Sequence, residues 1–273
     1  MYFMHYKSYT GIILKHQPHR EADEVITFWS FEEGKARFLV RGVRKSASKL
    51  RGAVSPLSWL HLYVIPSEYL PVVYNVKVIK TYRFPRSDLR HLAMVFNFFE
   101  MVLRSTADRQ PNHKISLLLR KVLDYLEQAR EDMDLLIYFQ LRLFESLGYS
   151  LQMQSCVSCQ NPFDRRKSNF LSLHAGGLIC FDCSRMIADV QNVENEVIEC
   201  LLKHTRNQPF SGAAVGDPSR PASTPKRDEL RRQAEADPAK KKTNQILSDF
   251  FFLLTERRLN SQKFLQENFL AEA

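Results

Sequence analysis

Four of the five cysteines stand in two Cys-x-x-Cys pairs: Cys156-Val157-Ser158-Cys159 and, twenty residues on, Cys180-Phe181-Asp182-Cys183. Each pair forms a knuckle that can aim two thiolates at one ion, and this separation reads as a four-cysteine tetrahedral zinc site. Cys156, Cys159, Cys180 and Cys183 are therefore the expected ligands of one Zn²⁺. The alternatives are two disulfides or a redox Cys-x-x-Cys, but a redox motif is single and opens a helix in a βαβ setting. Four thiolates leave no coordination position for a catalytic water, so the expected role is structural. His174, between the knuckles, reads as a hairpin surface residue, and Cys200, in a helical segment, as a small buried hydrophobe. Elsewhere there is no glycine-rich phosphate loop, no His-Glu metal pattern and no nucleophile motif, so the expectation is a protein that is not an enzyme.

The second kind of chemistry is charge. Residues 1–86 carry 14 Lys/Arg against 6 Asp/Glu, while the rest of the chain is nearly balanced at 25 against 24. A domain with that imbalance suits a polyanion, most often nucleic acid. Between Gly34 and Arg51 there is no acidic residue, and Lys35, Arg37, Arg41, Arg44, Lys45, Lys49 and Arg51 form the candidate DNA-binding set. The part from Arg44 to Gly52 has few large apolar residues and reads as a mobile loop. Its lysines, arginines and hydroxyls can grip phosphates while reading no sequence. Trp29, Trp59, Tyr63 and Tyr74 are the aromatics available for base stacking, although the expectation for each is core.

The elements that carry these residues follow from periodicity. Five strand-like runs occupy about residues 9–82, and Glu32-Glu33-Gly34-Lys35 supplies a hairpin turn. Five strands in so short a stretch suggest a small closed barrel of the OB-fold type, with an SH3-like barrel as the alternative. From Ser87 the apolar period becomes that of a helix. A first stripe is Leu89, Leu92, Ala93, Phe96, Phe99 and Leu103, with Ser87 or Asp88 as cap. A second is Ile115, Leu118, Leu119, Val122, Leu123 and Leu126, after Pro111-Asn112. A third helix runs from Asp134 to Leu147 and stops at Gly148. Glu100 lies inside the first helix, buried or exposed. The expected organisation is an OB-fold DNA-binding domain over 1–83 and a helical bundle domain over 84–273. The latter includes a zinc ribbon at 150–190, a Pro- and Gly-rich linker at 207–242 expected to be disordered, and a C-terminal helix at 243–270 docking on the bundle. No apolar run is long enough for a membrane helix, and the opening Met1 to Lys7 lacks the order of a signal peptide. Paired metal-type thiols suggest a cytoplasmic setting.

This order of parts resembles the bacterial RecO family of recombination and repair mediators. The resemblance rests on Gly11-Ile12-Ile13-Leu14, on Arg41-Gly42-Val43-Arg44-Lys45-Ser46, and on the run from Phe139 to Tyr149 leading into Cys156-Val157-Ser158-Cys159. Gly176-Gly177-Leu178-Ile179-Cys180 and Arg258-Leu259-Asn260-Ser261-Gln262-Lys263-Phe264-Leu265 complete it. The linker at 207–242 is longer than that pattern needs. The resemblance implies a non-catalytic protein that binds single- and double-stranded DNA, anneals complementary strands, and engages RecR and the acidic C-terminal tail of the single-strand-binding protein (SSB) to help load RecA. It also implies a cytoplasmic, nucleoid-associated location. The competing reading is a zinc-ribbon nucleic-acid-binding adaptor of transcription or translation, for which Arg165-Arg166-Lys167 is the only supporting cluster.

Overall fold

A computed structural model describes residues 6–83, 89–128, 133–206 and 237–265, without the side chains of 262 and 263. The described chain forms two compact units. The first takes in the described residues up to 128 with Ser261–Leu265, the second the described residues from 133 to 260.

In the first unit, β1 (Lys7–His19), β2 (Asp23–Ser30), β3 (Gly34–Val40), β4 (Ser58–Ile65) and β5 (Val72–Thr81) close into a barrel of order β1-β2-β3-β5-β4. This is the expected OB-like barrel. Every ladder is antiparallel except the closing one, where β3 and β5 run parallel and meet only at Leu39↔Val72. Alternation fills the interior: Leu60, Leu62 and Val64 of β4 point inward to Phe28, Phe38 and Val73, and the residues between them face out. Trp29 and Trp59 are core, as expected.

Two long helices pack in this unit, α1 (Leu89–Ser105) and α2 (His113–Leu126). Asn112 caps α2 by accepting from the N–H of Ile115 at 3.2 Å, and all six residues of its anticipated stripe are buried. The stripe proposed for α1 holds only in part. Ala93 and Phe99 are buried and Leu92 and Leu103 half-buried, but Leu89 and Phe96 are exposed, whereas His91, Val95, Asn97, Phe98, Met101 and Val102, outside the stripe, are buried. The helix packs against both β1 and α2, so it buries two faces and a single apolar stripe misplaces its core. Its proposed cap, Ser87 or Asp88, lies outside the described residues. Glu100 is half-buried and busy: it pairs with Arg104 at 2.6 Å and accepts from the N–H of Ser261 at 2.8 Å and from that residue's hydroxyl.

The barrel is fastened to these helices at the tip of the β2–β3 hairpin. Lys35 Nζ donates to the carbonyls of Leu103 and Thr106, at the end of α1, and lies 3.3 Å from Asp108. Trp29 Nε1 donates to the buried Ser116 hydroxyl of α2 at 2.9 Å. Gly34 adopts φ +69, and a Cβ there would meet the Gln110 carbonyl at 2.2 Å, so the turn needs glycine twice over.

In the second unit, α3 (Met133–Ser146), α5 (Asn195–Arg206) and α6 (Pro238–Thr255) pack together. Gly148, at φ +90, ends α3 as expected, and the N–H of Tyr149 reaches back to Phe144 O at 2.8 Å. Asp237 caps α6 with Pro238 in its first turn, so this helix starts inside the stretch assigned to a linker; residues 207–236 lie outside the described ones. A short α7 (Asn260–Leu265) follows in the chain and, from Ser261 on, belongs to the first unit. Between α3 and α5 lie β6 (Asn169–Ser172), β7 (Gly177–Cys180), the one-turn α4 (Phe181–Ser184) and β8 (Gln191–Val193). The strands form a sheet of order β7-β6-β8, whose third strand is too short to be visible as a sequence pattern.

One carboxylate binds the three long helices of this unit. Asp134, in the first turn of α3, lies 2.9 Å from Nε2 of the almost wholly buried His204 on α5 and 2.8 Å from Lys240 Nζ on α6. The imidazole–carboxylate contact is an ion pair rather than an aligned hydrogen bond. Burial opposes charge on both groups, yet His204 and Lys240 hold the Asp134 carboxyl well below the usual carboxylate range. His204, which burial alone would lower, is raised to about 9 by Asp134 and by the Cys200 carbonyl. A raised pKa stabilises the fold fully below the unfolded-state value near 6.5 and ceases to do so as pH climbs through about 9. The share of Asp134 disappears only in acid, below about pH 4. The stability difference between wild type and His204→Gln should thus be largest between about pH 4 and 6.5 and shrink by on the order of 2–3 kcal/mol by about pH 10. Denaturant titrations across that range measure it, and a pH-independent difference would show that the pair carries no linkage.

Candidate metal centre and basic loop

The two knuckles are brought together by the β6–β7 hairpin. Gly176, at φ +79, makes the turn, and Gly177 lies so close to the 152 segment that a Cβ would meet the Gln152 carbonyl at 2.3 Å. Leu178 N–H bonds to Gln152 O at 2.9 Å, and Val157 N–H to Leu178 O at 2.8 Å, which stitches the first knuckle to β7. The second knuckle leaves β7 directly: Cys180 ends the strand and Cys183 lies in α4. Ile179, with Val157, Phe170, Ile187 and Val190, packs an apolar floor beneath the sulfurs.

The four Sγ atoms all lie within 4.8 Å of one another. Cys159 and Cys180 are 3.6 Å apart, far beyond a disulfide bond and close to the roughly 3.8 Å edge of a tetrahedron with ~2.3 Å metal–sulfur bonds. This arrangement can hold one metal ion. Burial would raise the Cys156 thiol, but backbone N–H groups from Cys159, Cys180 and Ser158 aimed at its sulfur hold it down to about 6. Cys183, which the Ser158 hydroxyl would lower, is instead pushed up to about 12 by Cys180, burial and the other two thiols. Four sulfurs this close ionise together only around a cation. His174 is not part of the cluster; it is exposed, 3.9 Å from Asp189. Cys200 also lies apart from it, half-buried beside His204. Of the Arg165-Arg166-Lys167 run, Arg165 is paired to Glu199 at 2.8 Å.

The acid-free stretch takes a definite shape between β3 and β4. Residues 41–54 form successive turns, with N–H groups of Lys45, Ser48 and Arg51 bonding to carbonyls three residues earlier. Val43 and Val54 enter the barrel core, Leu50 packs against it, and Gly42 N–H bonds to Asp23 Oδ1 at 2.7 Å. The expectation of a mobile loop is therefore corrected: three apolar residues, spaced among polar ones and so hard to see in the sequence, pin it. Arg41, Arg44, Lys45, Lys49 and Arg51 all project outward, as does Arg37 from β3, and none is drawn into an ion pair with another described residue. Lys35 belongs elsewhere. With its side chain 12% exposed and its ammonium held by two carbonyls and Asp108, it positions the hairpin and leaves the candidate DNA set.

Sequence reasoning also misread two aromatics. Tyr74 is 42% exposed and Tyr63 lies on the outer face of β4, where they make tilted and edge contacts with Tyr6 and His61. The signal was available: Tyr63 lies on the opposite parity of β4 from Leu60, Leu62 and Val64.

Residues 4–82 match the family described as "Recombination protein O N terminal", and residues 86–214 match "Recombination protein O C terminal". The chain is similar to a DNA repair protein RecO of Synechococcus sp., 30% identical over 208 residues covering 70% of this chain and 68% of that protein. It is similar also to the DNA repair protein RecO of Pelotomaculum thermopropionicum, at 28% identity over 74% of this chain and 77% of that one. That of Syntrophomonas wolfei is 25% identical over 70% and 75%.

If the sulfur cluster is a resident metal site, the purified protein should carry about one tetrahedral metal per chain, and Cys159→Ser should lower that content while leaving α3, α5 and α6 folded. Elemental analysis with hydrogen exchange over 151–190 reads both. A full complement of metal in the variant would place the ion elsewhere.

Proposed function

The chain belongs to the RecO family, and on that footing we propose that it is a non-catalytic DNA-binding mediator of recombination and repair. The observation that carries this reading is the anchored loop after β3. Five outward Lys/Arg side chains, with Arg37 beside them, sit on a support that does not have to be ordered when DNA binds. Phosphate neutralisation of this kind is indifferent to sequence and acts on single strands and duplexes alike. It also accounts for annealing, since holding two strands together requires only that their mutual repulsion be neutralised.

The proposed metal is Zn²⁺, which four thiolates in a tetrahedron favour, in a structural role. When bound, it cross-links the two knuckles and braces β6 and β7 against the segment around Gln152. The boundary proposed for the OB-fold DNA-binding domain remains near residue 83, with the helical domain beyond it. The location proposed is the cytoplasm, at the nucleoid; among the described residues no helix is long and apolar enough to cross a membrane.

RecR, the SSB tail and assistance in loading RecA are proposed as partners and outcome on the strength of family membership. For the SSB tail, the site we propose is a small cavity of about 170 Å³ on the second unit, whose apolar walls and single guanidinium would suit an acidic, apolar-ended peptide. It is lined by Leu141, Phe144, Tyr149 and Arg142, whose guanidinium touches Glu145 at 2.6 Å. A peptide carboxylate can take the place of Glu145. The rival reading, a ribbon that itself binds nucleic acid, has little to draw on, because Arg165 is already paired and only Arg166 and Lys167 remain free of α5.

Charge reversal of Arg41, Arg44 and Lys45 should lower DNA affinity roughly tenfold or more at low salt. The slope of log affinity against log salt should flatten by about one for each lost contact. Unchanged affinity in anisotropy titrations would remove this loop from the DNA surface. Separately, an acidic SSB-tail peptide should bind wild type and bind Arg142→Ala several-fold more weakly by calorimetry; equal binding would exclude this cavity.

A further inference from the structure

The barrel carries a second surface that phosphate contacts do not use. Across the outer wall made by β1, β4 and β5, four rings lie in a row: Tyr6 is 5.0 Å from Tyr74, Tyr74 is 6.1 Å from Tyr63, and Tyr63 is 4.8 Å from His61. Their planes are tilted by 47°, 55° and 75° rather than stacked flat. Strand pairing produces the row. Tyr63 and His61 are two apart on β4 and point away from the core, and Tyr74 sits at the irregularity where β5 slips past Tyr63 and Val64. The His61 ring is fixed by a 2.9 Å contact to the Thr10 hydroxyl.

Large rings on the outside of a barrel are costly to leave in water, and these have company that identifies their ligand. Strands β1, β4 and β5 contain no acidic residue, while Lys7, Lys15 and Lys77 are exposed on them. Lys77 lies directly opposite His61 in the β4–β5 ladder. At the His61 end of the row the Glu32 carboxylate accepts from the N–H of Thr10. Aromatic rings among lysines, on three strands that carry no acidic residue, match a chain of unpaired bases on a phosphate backbone. A duplex hides its base faces and has nothing to offer such rings.

We propose that the Tyr6–Tyr74–Tyr63–His61 row is a base-stacking surface for single-stranded DNA, separate from the basic loop after β3. It deepens the DNA-binding reading above and rests on it. With two surfaces on different walls of one barrel, the loop holds phosphates of either form of DNA, and the aromatic row selects the strand whose bases are free.

Fluorescence anisotropy with the full-length chain tests this, using labelled oligothymidylate and a duplex of matched length across a salt series. The double variant Tyr6→Ala, Tyr74→Ala changes exposed side chains and should keep the wild-type melting temperature. Its single-strand affinity should fall about tenfold, with the salt slope and the duplex affinity unchanged, because stacking releases no counterions. The conservative pair Tyr6→Phe, Tyr74→Phe keeps the rings and should restore single-strand binding. Wild-type single-strand affinity in the alanine variant overturns the proposal, as does a loss shared equally by the duplex, or a folded phenylalanine variant as weak as the alanine one. A wild-type protein that binds neither DNA would overturn the DNA reading as a whole, whereas charge reversal of the loop that weakens duplex binding leaves that reading standing whatever the tyrosines do.

Discussion

The ammonium of Lys35, lodged among the last carbonyls of α1, is the contact on which the first unit is built. A helix end leaves carbonyls without partners, and a cation placed there both satisfies them and meets the negative end of the helix dipole. Because the cation is delivered by the tip of a hairpin, the same contact fixes where β2 and β3 lie against α1 and α2. Trp29 and Ser116 repeat the fastening a few residues away. Removing either donor would strand buried polar groups, a cost on the order of 1–3 kcal/mol for each neutral one. The direction in which β3 leaves the barrel, and so the place where the basic loop begins, is inherited from this fastening.

The structure separates holding from touching. In the first unit Lys35, Trp29 and Glu100 hold, and the arginines and lysines after β3 are left free on the outside. In the second unit the holding is done by two charge clusters of opposite design. Asp134 gathers a histidine and a lysine from two other helices, so three elements share one anion. The cysteines gather four developing anions and call for a cation. Both devices place charge where burial disfavours it and correct it with a partner.

Much of this was legible in the sequence, for local reasons. The cysteine spacing, the β2–β3 turn at Gly34, the cap at Asn112, the stop at Gly148 and the whole stripe of α2 depend on residues within a few positions of each other. What could not be read depends on distant neighbours. Lys35 looked like its basic companions because its acceptors lie about 70 residues further along the chain. Part of the core of α1 was missed because that helix is buried on two sides. The loop seemed mobile because its three anchors are scattered among polar residues, and the tyrosine row exists only once three strands are set in register. The family resemblance, carried by the cysteine junction, stands on the features that were local.

The parallel seam between β3 and β5 has a consequence for how the barrel opens. All other neighbours in the barrel share ladders of six or more paired positions, but this one is a single pair, Leu39↔Val72, reinforced by the bond from Leu39 N–H to Pro71 O. Local opening begins where the fewest backbone bonds must break, so the amide of Leu39 should exchange with solvent before those of the β1–β2 and β4–β5 ladders. The basic loop starts two residues beyond that seam, at Arg41. A polyanion laid across the loop would span the weakest line of the barrel and act as its clasp, making the protein harder to open when it is carrying its cargo than when it is empty.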